Sequence, residues 1–139
     1  DERNPGEQVT DKLTRKAYDD REALSVFAQS VDVVTYEFEN IPVESVRFLE
    51  QHVAVYPSAD VLEIAQDRLF EKDFLNKNGI ATAAYRAVNT VEEAVDAVAE
   101  IGLPAVLKTR RFGYDGKGQV IVRKAEDVPS TKGTLGGSL

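Results

Sequence analysis

TRRFGYDGKGQ, residues 109–119, links two predicted β-strands, LPAVLKT (103–109) and QVIVRK (119–124). A plain β-hairpin is the simplest interpretation, because Asp-Gly is a common hairpin dipeptide. The connection is nevertheless longer than the roughly two to five residues of most hairpin loops. Its glycines can take positive φ angles and let the backbone approach a ligand, and successive amides in such a turn can converge on an anion. The stretch is therefore predicted to be a hairpin whose connection forms a mobile phosphate flap.

The charges around this connection also favour an anion. Residues 108–119 contain one acidic side chain and four basic ones, in a chain with a formal net charge of −7. The basic residues are Lys108, Arg110, Arg111 and Lys117. Because side chains alternate along a strand, Lys108 is expected to share a face with Val106 and Arg110, on the side that the connection could cover. A strand lysine beneath a glycine-rich flap is one way to hold nucleotide phosphates. The spacing fits neither G-x-G-x-x-G nor G-x-x-x-x-G-K-[ST], which disfavours Rossmann and P-loop sites.

The composition excludes several classes of protein. The chain has 139 residues, a formal net charge of −7 and no Cys. The lack of Cys removes disulfides and thiolate metal sites and makes a cytosolic protein the default. An acidic chain does not suit general nucleic-acid binding, which uses broad basic faces. No apolar run approaches about 18 residues and no export signal is visible, so neither a membrane span nor secretion is expected. Met is absent, even at position 1, as expected of an interior fragment or of a processed terminus.

The first part of the chain alternates helical and strand patterns. Apolar residues at helical spacing predict a helix over 20–31, and β-branched residues predict a buried strand over 31–40. Asn40 can cap a helix over 40–52, which precedes a short strand over 53–57. This alternation is typical of an open parallel sheet with helices on its faces.

The second part adds two helices and a short strand before the hairpin. Residues 58–79 are predicted as one helix between a Ser58 cap and a Gly79 stop. A short strand is predicted over 85–88. A helix over 90–102 begins with a capping box and ends at a glycine.

Other polar residues are weaker candidates for a site. Glu37 and Glu39 alternate at a strand end, where a solvated terminus is the simpler interpretation. Open α/β sheets bind ligands at the carboxyl ends of their strands, so a substrate contact stays an alternative. His52 is the only histidine, lies where a helix ends and is not expected to be a ligand or a base. Arg68 would ordinarily be a surface residue.

Three motifs together resemble one enzyme family. In chain order they are DVVTYEFENIP (32–42), QDRLFEKDFL (66–75) and LPAVLKTRRFGYDGKGQ (103–119). In this order and spacing they resemble the 5-(carboxyamino)imidazole ribonucleotide synthases, which are ATP-grasp enzymes. The run R-R-x-G-Y-D-G-K-G-Q is the most specific motif, because other ATP-grasp enzymes have a lysine strand and a glycine loop without it. The resemblance extends from about the N-terminus to around Val128.

The resemblance implies an α/β fold in two parts. Residues 1–56 would be a partial N-terminal domain with an open parallel sheet. Residues 57–128 would be the small α+β subdomain of an ATP-grasp fold, with the glycine-rich phosphate loop. Residues 129–139 are small, polar and glycine-rich, and they are predicted to be a flexible tail.

The resemblance also implies a nucleotide site. Lys108 would contact the nucleotide from its strand, and Arg68 would reach it from the QDR helix. The loop over the ATP phosphates would consist of Gly113, Tyr114, Asp115, Gly116, Lys117, Gly118 and Gln119. The family uses ATP and Mg²⁺ to activate bicarbonate as carboxyphosphate, and then carboxylates the exocyclic amine of aminoimidazole ribonucleotide in purine biosynthesis. The metal ligands are expected outside this chain.

Two alternatives stay open. Another ATP-grasp ligase with a different acceptor would keep the fold, although its loop would be expected to lack the R-R-x-G-Y-D run. A noncatalytic nucleotide-binding module would suit a chain well under half the family's usual length. The complete enzyme is expected to be a cytoplasmic homodimer that binds neither nucleic acid nor membranes. The isolated chain is expected to bind nucleotide weakly and to turn over nothing.

Overall fold

The computed structural model describes residues 8–113 and 117–134, the last three of these without their side chains. The chain divides into two compact units, Asp1–Glu63 and Ile64–Leu139. Each unit has its own two-stranded sheet and its own hydrophobic core. The mixture of helices with one parallel and one antiparallel strand pair confirms the predicted α/β class. In the described part of the chain, no helix has the length and apolar character needed to cross a membrane.

The first unit packs helices against a parallel strand pair. Its elements are α1 (Arg21–Gln29), β1 (Val33–Thr35), α2 (Val43–Glu50) and β2 (Ala54–Tyr56). Val34 lies opposite Val55 in the β1–β2 register, and both are buried. Their neighbours along each strand are exposed, as the two-residue period of a strand requires. The core around this valine pair also buries Val46 and Leu49 of α2.

A third helix leads from the first unit into the second. α3 (Ala59–Ala65) follows β2, and the division between the units falls within it. Its first residue, Ala59, is fully buried, and Leu62 joins the core of the first unit.

The second unit packs two helices against one face of an antiparallel hairpin. Its elements are α4 (Arg68–Lys77), α5 (Val91–Ile101), β3 (Ala105–Lys108), β4 (Gln119–Val122), a 3₁₀ turn (Ala125–Asp127) and α6 (Val128–Thr134). In the register, Ala105 lies opposite Val122 and Lys108 opposite Gln119. The core gathers Val98 of α5, Val122 of β4 and Val128 of α6.

Helix α5 has the predicted start and end. Thr90 Oγ1 accepts a hydrogen bond from Glu93 N at 3.1 Å. The glutamate in turn accepts at Oε2 from Asn89 N at 2.7 Å, one residue earlier than in a standard capping box. Gly102, with φ +93°, follows the last helical residue. Local capping chemistry therefore fixes both ends of this helix.

Removing the cap hydroxyl is expected to weaken α5. Thr90→Ala should lower the free energy of unfolding by about 1 kcal/mol, because Glu93 N loses its acceptor. Urea unfolding followed by circular dichroism would measure this, with Thr14→Ala at an exposed position as the control. Thr90→Ser should restore most of the stability, and equal losses for Ala and Ser would show that the hydroxyl is not the cause.

The single helix predicted over 58–79 is wrong. The structure has two helices, α3 and α4, separated at Gln66 and Asp67. Asp67 adopts an extended conformation, with φ −124° and ψ 114°, and its carboxylate caps α4. Such short polar side chains favour the N-cap over the helix interior. Gly79, with φ +77°, follows the C-cap of α4, as the predicted stop requires.

The strand predicted over 85–88 is not formed. Residues 81–88 have no regular secondary structure. The Tyr85 hydroxyl donates to Asp73 of α4, while Arg86 pairs with Glu100 of α5 at 2.6 Å. Tyr85 and Arg86 are thus bound to two different helices, and the backbone of this segment pairs with no described strand.

Two predictions at the ends of elements also fail. Pro42, not Asn40, occupies the N-cap position of α2, and no side chain caps that helix. Residues Val128–Thr134 form α6, where the sequence predicts a flexible tail from residue 129. Val128 and Thr131 are nearly fully buried, so tertiary packing explains a helix that the local composition does not predict. The remaining tail residues, 135–139, lie outside the described part of the chain.

Candidate functional site

The β3–β4 hairpin has two different faces. Ala105 and Leu107 are half-buried against the core of the second unit, whereas Val106 and Lys108 are exposed on the opposite face. This alternation confirms that Val106 and Lys108 share a face. Arg110 lies beyond the end of β3, and its side chain has a partner elsewhere.

Thr109 and Gly118 close the base of the connection between the strands. Thr109 N donates to Gly118 O at 2.8 Å. Gly118 has a φ of +70°, in the left-handed region that side chains disfavour. A Cβ atom at this position would lie only 2.5 Å from Thr109 Oγ1. The turn itself therefore requires glycine at position 118, whatever else the loop binds.

Residues at and just before the start of α4 bind the start of the connection between the strands. Two stretches meet here, the Gln-Asp-Arg segment (66–68) and the loop start (110–113). Arg110 donates to Asp67 twice, from Nε to Oδ1 at 3.1 Å and from Nη2 to Oδ2 at 2.7 Å. The backbones also join, since Arg68 N donates to Arg110 O at 3.0 Å. A bidentate pair fixes orientation as well as distance, so the two stretches are held in one register.

The other two residues of the Gln-Asp-Arg segment contact the loop start as well. Arg111 Nη2 donates to Gln66 Oε1, and Arg68 Nη2 donates to Gly113 O at 3.0 Å. A Cβ atom on Gly113 would lie 2.9 Å from Arg68 Nη2 and 3.1 Å from Lys117 O. The guanidinium of Arg68 can therefore approach the loop backbone because position 113 has no side chain.

Asp67 is the electrostatic centre of this contact. Its side chain is only 6% exposed, while that of Arg110 is 44% exposed. Burial alone would raise the pKa of Asp67, but hydrogen bonds from Arg110, Leu69 N and Phe70 N, together with the Arg110 charge, outweigh it and lower the pKa. The carboxylate is thus ionised at neutral pH and serves as helix cap and ion-pair partner at once.

The N-terminus of α4 already has its acceptors within the protein. Its first four amides belong to Arg68, Leu69, Phe70 and Glu71. Arg110 O takes the first, Asp67 Oδ1 the next two and Asp67 O the fourth. Any anion near this helix would therefore meet the Arg68 side chain rather than free backbone amides.

Three of the predicted cationic residues line one cavity. The cavity has a volume of about 560 Å³ and lies between α4, residues 83–88, α5 and β3. Five cationic side chains contribute to its lining, namely Arg68, Lys72, Arg86, Lys108 and Arg110. Most other lining residues are apolar, Val98 and Val106 among them. The structure therefore brings Arg68 and Lys108, which are distant in the sequence, to one cavity that combines cationic side chains with an apolar surface.

The other predicted loop residues are described only in part. Lys117 is exposed, and Gln119 opens β4 opposite Lys108. Tyr114, Asp115 and Gly116 lie outside the described residues.

The weaker candidates belong to the first unit. Glu37 and Glu39 are exposed in the segment after β1, and a substrate contact there stays a prediction. His52 is exposed, and its ring packs edge-on against Phe48 with centroids 4.8 Å apart. Within residues 8–113 and 117–134, no group of three or more His, Asp or Glu side chains is placed to hold a metal ion.

Sequence reasoning missed what Gln66 and Asp67 do. It assigned Arg110 and Arg111 to a basic surplus for an anion, whereas the structure gives each of them a protein partner. The partners are more than 40 residues apart in the chain, so no local pattern shows the pairing. The only local signal was Asp67 itself, a favourable N-cap residue directly before an amphipathic run.

Comparisons with protein families divide the chain in a similar way. The model of the ribonucleotide synthetase preATP-grasp domain matches residues 1–66, and that of the ATP-grasp domain matches residues 73–138. The curated N5-carboxyaminoimidazole ribonucleotide synthase of Pseudomonas aeruginosa is 49% identical over 122 residues, which cover 88% of this chain and 34% of the relative. The chain thus spans about a third of the length of the curated relatives it matches.

Solved structures show the same likeness. The N5-carboxyaminoimidazole synthetase of Staphylococcus aureus, crystallised with ADP, superposes with a TM-score of 0.88 at 32% identity, covering 96% of this chain and 36% of that one. The synthase of Aspergillus clavatus, in complex with ADP and 5-aminoimidazole ribonucleotide, superposes with a TM-score of 0.79 at 26% identity, covering 94% and 34%.

Proposed function

The chain belongs to the N5-carboxyaminoimidazole ribonucleotide synthase family of ATP-grasp ligases, and on that premise we propose that it binds the ATP phosphates for a bicarbonate-dependent carboxylation. The acceptor would be the exocyclic amine of 5-aminoimidazole ribonucleotide, in purine biosynthesis. In the first step a bicarbonate oxygen attacks the γ-phosphorus of ATP, and ADP leaves. In the second step the amine attacks the carbon of the resulting carboxyphosphate, phosphate leaves, and the amine nitrogen loses a proton.

The observation that carries this proposal is the placement of Arg68 and Lys108 on one cavity. The volume of about 560 Å³ lies within the range of ligand pockets. Its largely apolar lining suits a base and a sugar, and its cationic side chains, Arg68 and Lys108 among them, suit a phosphate chain. Phosphoryl transfer depends mainly on positioning and on neutralising charge, which fixed cations supply without reorganisation. Lys108 would act from a rigid strand and Arg68 from the first turn of a helix.

The loop residues would complete this phosphate site. Gly113, Tyr114, Asp115, Gly116, Lys117, Gly118 and Gln119 form the glycine-rich segment of the family motif. Its amides and Lys117 would add donors to the phosphates and exclude water from the reacting groups. The carboxylates that hold Mg²⁺ in such a ligase would come from outside the described residues, since no suitable group lies within them.

The assignment extends to the organisation of the protein. Residues 1–56 would belong to the N-terminal domain and residues 57–128 to the small ATP-grasp subdomain. A homodimer would fit the family. A cytoplasmic location would fit the family and the absence of Cys. Neither nucleic acid nor a membrane would be a partner, because the chain is acidic and its ligands are small molecules.

Phosphate release by the complete gene product tests this function. Release from ATP should require bicarbonate and should yield the carboxylated product only when 5-aminoimidazole ribonucleotide is present. Lys108→Ala should weaken ATP binding about tenfold or more, because a charge-assisted contact to phosphate is lost. Lys124→Ala, at an exposed position after β4, is the matched control.

Three outcomes would count against the proposal. Bicarbonate-dependent release that yields no carboxylated product in the presence of aminoimidazole ribonucleotide would indicate a ligase with another acceptor. ATP binding without turnover would indicate a noncatalytic nucleotide-binding module. Unchanged ATP affinity in Lys108→Ala would remove Lys108 from the site.

A further inference from the structure

The Gln-Asp-Arg segment and the loop start are joined by more hydrogen bonds than closure of the hairpin requires. The hairpin is already closed at its base by the Thr109–Gly118 backbone bond. Outside that base, residues 110–113 receive three side-chain contacts and one backbone contact from residues 66–68. These contacts fix a segment that lies directly between Lys108 and the glycine-rich loop.

The ion pair between Asp67 and Arg110 is suited to fixing the relative orientation of the two segments that carry these residues. A planar guanidinium facing a carboxylate through two hydrogen bonds allows little rotation, which a lysine ammonium could not achieve. The carboxylate is also held from behind, because it accepts the Leu69 and Phe70 amides of α4. Arg110 is therefore attached to a helix terminus rather than to a mobile side chain.

The Asp67–Arg110 pair is linked through the chain to both residues proposed to bind phosphate, Lys108 and Arg68. Lys108 lies two residues before Arg110 at the end of β3, so the position of Arg110 limits how the strand end can move. Arg68 follows Asp67 directly and donates from its backbone to Arg110 O. The distance between the two cations therefore depends on the register of Asp67 and Arg110.

We propose that Asp67 and Arg110 are positioning residues, which set Lys108 and Arg68 at the spacing that the phosphate chain of a nucleotide requires. The inference rests on the proposed function. Asp67 need not contact the nucleotide, because it is buried and its oxygens are occupied by Arg110 and the helix amides. Arg110 also lines the cavity, but its Nε and Nη2 atoms are already bonded to Asp67. Their effect would appear in the recognition of phosphates and not in the recognition of the base.

Two substitutions separate positioning from folding. Asp67→Asn keeps the size of the side chain and remains a good helix cap, but it loses the bidentate ion pair with Arg110. Arg110→Gln removes the guanidinium that forms the other half of this pair. In the complete gene product, each variant should bind ADP about tenfold more weakly than the wild type, while adenosine binding changes less than about twofold. Asp96→Asn and Arg123→Gln, both exposed in the second unit, are the matched controls.

The double variant Asp67→Asn with Arg110→Gln decides whether the two residues act as a unit. Its ADP affinity should be no lower than that of the weaker single variant, because either change already breaks the pair. Arg110→Lys should not restore affinity, since a single ammonium cannot form the bidentate pair.

Several results would overturn the inference. Unchanged ADP affinity in the single variants would do so, as would equal losses for ADP and adenosine, which indicate general misfolding. Additive losses in the double variant would show that the residues act separately. If the wild type binds ADP but these patterns are absent, only this inference fails. If the wild type binds no nucleotide, the proposed function fails and this inference fails with it.

Discussion

Gly118→Ala is expected to lower the free energy of unfolding by about 3 kcal/mol. Two costs combine at this position. An alanine at φ +70° pays roughly 1–2 kcal/mol for the left-handed conformation. Its Cβ would also lie 2.5 Å from Thr109 Oγ1, and relieving such an overlap costs about 1–3 kcal/mol. Movement at this point would also stretch the Thr109–Gly118 hydrogen bond that closes the hairpin.

Gly79 provides a matched control within the same unit. Its φ of +77° is nearly the same, but a Cβ atom there would meet nothing within 4 Å. Gly79→Ala should therefore cost only the conformational part, about 1 kcal/mol after the reduced entropy of the unfolded chain is included. Urea unfolding of both variants would measure the difference, and amide exchange at Thr109 would locate it.

A second substitution isolates the overlap. Thr109→Ala removes the hydroxyl that Gly118→Ala would strike, so the double variant should regain much of the loss relative to the two single changes. Equal costs for Gly118→Ala and Gly79→Ala, or strict additivity with Thr109→Ala, would show that the close approach at the base of the hairpin does not limit stability.

The sequence predicted those elements whose signals are local. Helix α5 begins directly after its Thr90 cap and ends before Gly102, because both signals act within a few residues. The hairpin strands show the alternation that places Lys108 and Leu107 on opposite faces. The break between α3 and α4 could not be predicted in the same way, because the Asp67 cap is reinforced by Arg110, far along the chain.

The candidate site was predictable from resemblance more than from pattern. Periodicity placed Lys108 on an exposed face, but only the family motifs linked it to Arg68, which lines the same cavity. Counting charges was misleading, because it included Arg110 in a basic surplus that favours an anion. In the structure a buried carboxylate takes up that charge. Charge counts along a loop cannot distinguish cations that face a ligand from cations that hold the loop in place.

Asp67→Ala is expected to have a comparable effect on stability, about 3 kcal/mol. Alanine cannot cap α4, which costs about 1 kcal/mol. It also removes both hydrogen bonds with Arg110, and bonds to charged groups contribute about 1.5–3 kcal/mol each when one partner is buried. Arg110 is 44% exposed and can regain water, so the total falls below the sum of these values. Asp67→Asn keeps the cap and should cost about half as much.

The pH dependence identifies the charge as the cause. The pKa of Asp67 is lowered in the folded protein, so its ionic contribution is complete above the unfolded value of about 3.9 and is lost as the pH falls through the folded pKa. The wild type should therefore exceed Asp67→Asn in stability at pH 7 and converge on it as the pH drops below about 4. Urea unfolding of both proteins across this range, with Asp96→Asn for comparison, would measure the convergence. A constant gap at every pH would mean that shape, and not the ionised carboxylate, holds the loop start to α4.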